Sequence, residues 1–134
     1  MNARRLTNKC AVIAALSISM CIGCARSDLV DVSGNVTWKG APVPDGEIIF
    51  FPSDKAKPPA AGRITDGAYK FKSKAGTMKV TIEAARSTGK RDPEYGFLIS
   101  ELYIPPRYNK DSTLSADVTL DGENRFDFAL TDKP

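Results

Sequence analysis

From Val30 to Trp38 the chain reads VDVSGNVTW, so Val30, Val32, Gly34, Val36 and Trp38 share one face while Asp31, Ser33, Asn35 and Thr37 share the other. Side chains two apart lie on the same side of an extended backbone, so this period predicts a strand with one dry face. Glu47 to Phe51 (EIIFF) is apolar at successive positions and predicts a central strand covered on both sides. Arg63 to Thr65 and Ala68 to Lys72 flank Asp66-Gly67, a dipeptide suited to the positive φ angles of a two-residue hairpin turn. Met78, Val80, Ile82 and Ala84 alternate with Thr77, Lys79, Thr81 and Glu83. Leu114, Ala116, Val118 and Leu120 form another apolar face, and Phe126, Phe128 and Leu130 a last one. Asp121-Gly122 between these two predicts a closing hairpin, with Ser115, Asp117, Thr119, Arg125 and Asp127 toward water.

The segments between these runs read as turns. Gly40 to Gly46 holds two prolines, Pro52 to Pro59 is a polar loop, and Ser87 to Asn109 contains Gly89, Pro93, Gly96, Pro105 and Pro106. This last segment is the longest irregular stretch, and long loops in compact domains are often functional or mobile. No run has a helical period. Seven short strands with turn signals between them predict an all-β, two-sheet sandwich, with a small closed barrel as the alternative.

The N-terminus breaks the pattern. Arg4, Arg5 and Lys9 precede an uncharged, mostly apolar run from Ala11 to Ile22, too short for a bilayer-spanning helix of ~20 residues. Charge, apolar core and small residue in that order predict a cleaved signal peptide. The ending Cys21-Ile22-Gly23-Cys24 resembles a bacterial lipobox, with Cys21 where Leu is usual. That resemblance implies cleavage before Cys24 and lipid on its sulfur. Cleavage at a nearby small residue such as Ala25 by the ordinary signal peptidase is the alternative. The expected organisation is a lipoprotein signal peptide over 1–23, a lipidated tether over 24–28 and a β-sandwich domain over 29–134. Ala25 after the cysteine, where a retention signal would place Asp, favours the outer over the inner membrane.

Composition matters once the signal is set aside. The formal net charge of +3 resides entirely in Arg4, Arg5 and Lys9, and the remaining chain has 16 basic and 16 acidic residues. Such a balance removes the argument for nucleic-acid binding. Of the three cysteines, Cys10 and Cys21 fall in the signal and Cys24 at the lipidation site, which leaves no disulfide or thiolate metal site to expect. There is no His, which removes Ser-His-Asp and Cys-His triads and His-ligated metals. No glycine-rich phosphate loop and no EF-hand spacing occurs among the aspartates Asp111, Asp117, Asp121 and Asp132. The carboxylate pairs Asp45/Glu47 and Asp121/Glu123 flank turns, where Asp before Gly shapes the backbone.

The stretch VSGNVTWKGAPVPDGEIIFFP resembles the opening of a carboxypeptidase regulatory-like domain of the transthyretin-like or prealbumin-like group. The likeness lies in Gly34-Asn35-Val36, Gly40-Ala41-Pro42 and the strand Ile48 to Phe51. Thr65-Asp66-Gly67-Ala68-Tyr69-Lys70-Phe71 is similar to the family's hairpin, one residue shorter, and Ala75 to Ile82 to its following strand, with Met78 where Tyr is usual. Ile104 to Asn109 and Gly122 to Phe128 look like the ends of small bacterial lipoproteins built on this domain. The resemblance implies an antiparallel Greek-key sandwich used as a non-catalytic accessory or surface module, and it carries no catalytic residues.

Two function classes follow. The favoured one is a non-catalytic, membrane-anchored cell-envelope module, expected as a monomer, that contacts an envelope protein or glycan or serves a structural role. The other is a transthyretin-like small-molecule hydrolase using carboxylates, which the lack of His disfavours. No cofactor is expected. Candidate contact residues are the aromatics of the long segment, Tyr95, Phe97, Tyr103 and Tyr108, together with its Arg107, and Lys70 and Lys72 on a neighbouring face. Aromatics on a loop are how a sandwich often presents a site, and they also serve to cap a core. Lys70, Lys72, Lys74 and Lys79 read first as surface lysines that deter strand addition, and second as a contact for acidic glycan or lipid headgroups. Trp38, among apolar alternation partners, reads as core or sandwich edge.

Overall fold

The structure is a computed structural model and describes residues 28–133. The signal peptide over 1–23 and the lipidation site Cys24 lie outside the described residues. Ten strands appear: β1 (Leu29–Trp38), β2 (Ala41–Pro42), β3 (Asp45–Pro52), β4 (Ala60–Thr65), β5 (Ala68–Lys74), β6 (Gly76–Glu83), β7 (Ala85–Arg91), β8 (Leu98–Leu102), β9 (Ser115–Val118) and β10 (Phe128–Leu130). Among the described residues one 3-10 turn, Pro106–Tyr108, interrupts them.

Seven strands form one continuous curled sheet in the order β10-β1-β5-β4-β3-β6-β9, with β2 paired to β1. The meander β3-β4-β5 places its last strand beside β1, which is a Greek-key arrangement. The sheet folds over its own inner face, so the fold is all-β and sandwich-like. Val32, Val36, Ile48, Phe50, Ile64, Met78, Val80, Ile82, Val118 and Leu130 fill the interior. Of the expected inward positions of β1 and β6, Val32, Gly34, Val36, Met78, Val80 and Ile82 are buried and Val30 and Trp38 half-buried, while Thr81, expected to face water, is buried as well.

Local chemistry explains the turns and a close approach. Asp66 (φ 50°) and Gly67 (φ 81°) both take left-handed angles in the two-residue β4–β5 turn. Gly34 lies on the inner face of β1, where a Cβ would stand 1.8 Å from the Phe126 carbonyl oxygen. The missing side chain lets residues 124–126 run against β1: Ser33 N–H donates to Asn124 O (3.0 Å) and Phe126 N–H to Ser33 O (2.9 Å). The Tyr69 hydroxyl donates to Phe126 O at 2.6 Å.

Three expectations are corrected. β9 and β10 do not form a hairpin: β9 pairs antiparallel with β6, and β10 pairs parallel with β1, Val36 opposite Phe128. The chain through Asp121-Gly122 crosses from one edge of the sheet to the other instead of turning back, since Gly34 leaves room on β1 for residues 124–126 to run along it. β3 is central but not covered on both sides. Ile48 and Phe50 are buried, whereas Ile49 is half-buried and Phe51 is exposed on the outer face. Ser87 to Asn109 is not irregular throughout, since it contains β8, most of β7 and the 3-10 turn.

Candidate functional site

β7 and β8 form a two-stranded ribbon of their own, hydrogen-bonded to neither edge of the main sheet. It leaves the body directly after β6. Ala85 faces Leu102, Arg86 faces Glu101 and Ser87 faces Ser100, and a register shift separates this root from the pair Arg91–Leu98. Gly89 (φ 76°) supplies the left-handed residue at the shift. Almost every ribbon residue is exposed. An isolated two-stranded ribbon is marginal in water, so side-chain bonds hold this one. Asp92 Oδ1 accepts from the N–H groups of Glu94 (2.9 Å) and Tyr95 (2.7 Å), Gly96 N–H donates to Asp92 O (2.9 Å), and Arg91 donates to Gly96 O (2.8 Å). At the root, Arg86 Nε and Nη2 both donate to Glu101 Oε1, at 2.9 and 2.8 Å.

This framework presents apolar side chains at the tip. Tyr95 is 74 % exposed and Phe97 57 %, their rings stacked at 6.3 Å and 16°. Leu98, Ile99 and Leu102 are exposed along β8. Tyr103 belongs to the root. Its ring meets Trp38 edge-on at 6.2 Å, and the Arg86 guanidinium lies 5.6 Å over it. Burial pushes the Tyr103 phenol above its usual value, and Arg86 opposes that shift.

Arg107 and Tyr108 do not join the ribbon. They sit in the 3-10 turn and hold the end of β10: Arg107 donates to Thr131 O, and Thr131 N–H donates to the Tyr108 hydroxyl at 3.1 Å. The Arg107 guanidinium stacks 4.9 Å over the Tyr108 ring, with its Nε buried and unpartnered. The Thr131 N–H is the main reason the Tyr108 phenol falls below its ordinary value. Lys70 and Lys72 lie on the outer face of β5, three strands from β6 in the sheet order. Lys72 pairs with Asp31 at 3.2 Å. The structure thus stacks Tyr95 on Phe97 at the tip, puts Tyr103 at the root against Trp38, commits Arg107 and Tyr108 to the end of β10, and leaves Lys70 and Lys72 on the outer face of β5.

Two adjoining clefts open at the ribbon root. One, of about 470 Å3, runs between Asp45, Glu47, Arg63, Glu83, Ala85 and Leu102. The other, of about 360 Å3, is lined by Trp38, Pro44, Asp45, Ala85, Arg86 and Tyr103. Asp45 is committed to Arg63, whose Nε and Nη2 donate to its Oδ1 at 2.9 and 2.8 Å. Glu47 and Glu83 face each other across β3 and β6. Among the described residues, no three His, Cys, Asp or Glu side chains gather as a metal site, and no helix is long and apolar enough to cross a membrane.

The ribbon was hard to see in the sequence because both of its faces meet water, so Ala85 to Arg91 has no apolar alternation. The usable signal was Asp92-Pro93 followed by Gly96, a turn signature ahead of the apolar run Leu98-Ile99. Compared with protein-family models, with characterised proteins and with solved structures, the chain matches none of them.

Proposed function

We propose that this chain is a non-catalytic, lipid-anchored cell-envelope module of carboxypeptidase regulatory-like type, which holds the β7–β8 ribbon away from the membrane for contact with an envelope protein or glycan. The observation that carries this reading is the direction of β1. It begins at Leu29, where the tether from Cys24 would join, and ends at Trp38 against Tyr103 of the ribbon root. Ten strand residues separate the two ends by roughly 30 Å at the usual rise per residue. A rigid sandwich between anchor and ribbon is a spacer. Stacked aromatics with only two χ angles each lose little conformational entropy on binding, and the bonds around Asp92 have already ordered the tip. Asp45 held by Arg63, in a chain without His, supports a module over a hydrolase.

The test is fatty-acid labelling in the native host together with Cys24→Ser. Wild-type protein is expected to incorporate labelled fatty acid and to fractionate with the outer membrane. Cys24→Ser is expected to lose the label and to give precursor or soluble product. A wild-type protein that is water-soluble and unlabelled overturns the anchor. Photo-crosslinking from position 95 in cells tests the ribbon: a discrete envelope adduct, absent when the crosslinker stands at position 70, is the expected result.

A further inference from the structure

The opposite end of the sandwich carries a charge pattern of its own. β1 starts there, β5 ends there at Lys74 opposite Leu29, and β3 ends there at Pro52 opposite Met78. The Pro52 to Pro59 loop brings Lys55 and Lys57 beside Lys79 and Phe51 around a cleft of about 450 Å3 whose lining has three lysines and no carboxylate. A smaller adjoining cleft joins Lys57 and Lys74 to Asp28 and Leu120. Among the described residues none of these four lysines has an ion-pair partner, whereas Lys39, Arg63, Lys72, Arg86 and Arg125 all do. Leu29, Phe51 and Leu120 stand exposed at the same end. The nearby acids are Asp28, Asp54, whose Oδ1 accepts the Ala56 N–H, Asp117, whose Oδ1 accepts the Thr77 hydroxyl two residues before Lys79, and Asp121 just past Leu120.

We infer that Lys55, Lys57, Lys74 and Lys79 form a docking face for the headgroups of an anionic phospholipid bilayer, seating the domain upright on the membrane that holds its lipid. The inference rests on the anchor at Cys24, four residues before Asp28. A fully extended link of that length spans at most about 14 Å, which keeps this end near the membrane. Electrostatic attraction to a charged surface fades over a Debye length of about 8–10 Å, so this is the end of the domain that feels it. A tether alone would let the sandwich tumble. Lysines with apolar neighbours at the surface add a second, orienting attachment, in the way a basic patch supplements an acyl chain. The ribbon, at the far end of β1, then points outward.

The experiment uses protein purified from membranes and reconstituted into vesicles of phosphatidylcholine alone or with one third phosphatidylglycerol. A membrane-impermeant amine reagent labels the lysines, and mass spectrometry reads each site. The expected result is labelling of Lys55, Lys57 and Lys79 slowed about fivefold or more in the anionic vesicles, a difference abolished by high salt as surface attraction requires. Lys90 on the ribbon labels equally in both. Equal rates at the three lysines in the two vesicle types overturn the inference, even with the protein fully anchored. The mass of the N-terminal peptide decides the anchor separately. If Cys24 proves unlipidated, flotation of the same protein with anionic vesicles still judges the patch. Flotation that Lys57→Glu with Lys79→Glu abolishes supports it, and no flotation overturns it.

Discussion

Replacing Asp92 to Ser100 with a short Gly-Ser link removes the ribbon tip and leaves the root pairs Arg86–Glu101 and Ala85–Leu102 in place. The consequence for stability separates a presented surface from a cover over the core. Fully burying a large apolar side chain is worth roughly 1.5–3 kcal/mol. Tyr95 keeps 74 % of its surface in water, Phe97 57 %, Leu98 49 % and Ile99 37 %. Part of the remainder is covered by the tip itself, as the Tyr95–Phe97 stack shows, and that cover disappears together with what it covers. The Asp92 turn bonds are local to the excised segment. The expected loss is therefore about 1 kcal/mol or less, with a few tenths returned by the shorter loop. Urea unfolding followed by far-UV circular dichroism measures it, with a nearly unchanged slope against denaturant. Phe50→Ala is the control from the core, where a fully buried aromatic is expected to cost about 3–5 kcal/mol. A loss of about 3 kcal/mol or more for the ribbon replacement would refute the reasoning, since it would mean that the tip shelters the sandwich.

The remaining expectations concern the body of the fold. Gly34→Ala should cost several kcal/mol, because its Cβ would stand 1.8 Å from Phe126 O and 2.8 Å from the Tyr69 hydroxyl; Gly40→Ala, with nothing near its Cβ, should cost only about 1–2 kcal/mol for its φ of +83°. Equal midpoints for the two variants in urea would remove the close-approach account. Phe50→Asp should abolish folding by burying an unpaired charge, while Ile49→Asp on the half-buried outer face should leave a folded domain with a lowered midpoint. Cooperative unfolding of Phe50→Asp would contradict the core assignment. Burial, with the Asp127 carboxylate adding to it, raises the Tyr69 phenol well above its ordinary 10.0. Above pH 10 the unfolded chain therefore loses a proton that the folded one keeps. The contribution of Tyr69 is complete below pH 10 and falls as pH rises beyond it. Tyr69→Phe should unfold more easily at pH 8 and show a flatter decline from pH 10 to 12; an unchanged decline would show that other groups cause it.

Some of this protein was legible in its sequence because the determining interactions are local. Which side chain of β1, β5 or β6 faces inward follows from the two-residue period of an extended backbone. The Asp66-Gly67 turn follows from the φ angles that those residues tolerate. Even Gly34 stood out as a gap in an apolar face, although what fills the gap, the carbonyl of Phe126, is 92 residues further on. Strand partners were a different matter. An edge offers the same N–H and C=O groups to any strand, so the period of Phe126, Phe128 and Leu130 carried no instruction to lie parallel to β1 instead of back along β9. That choice depended on where the rest of the core left room. The expected contact residues parted for the same reason. Tyr95 and Phe97 stack at a tip, while Arg107 and Tyr108, ten residues on, close a strand end, because the chain returns to the body after Leu102. The ribbon itself left no periodic trace, since a segment wet on both faces is under no pressure to alternate. The lysine face at the other end is tertiary as well. Lys57, Lys74 and Lys79 come from a loop and two strands that only the curl of the sheet brings to the point where the chain enters the domain.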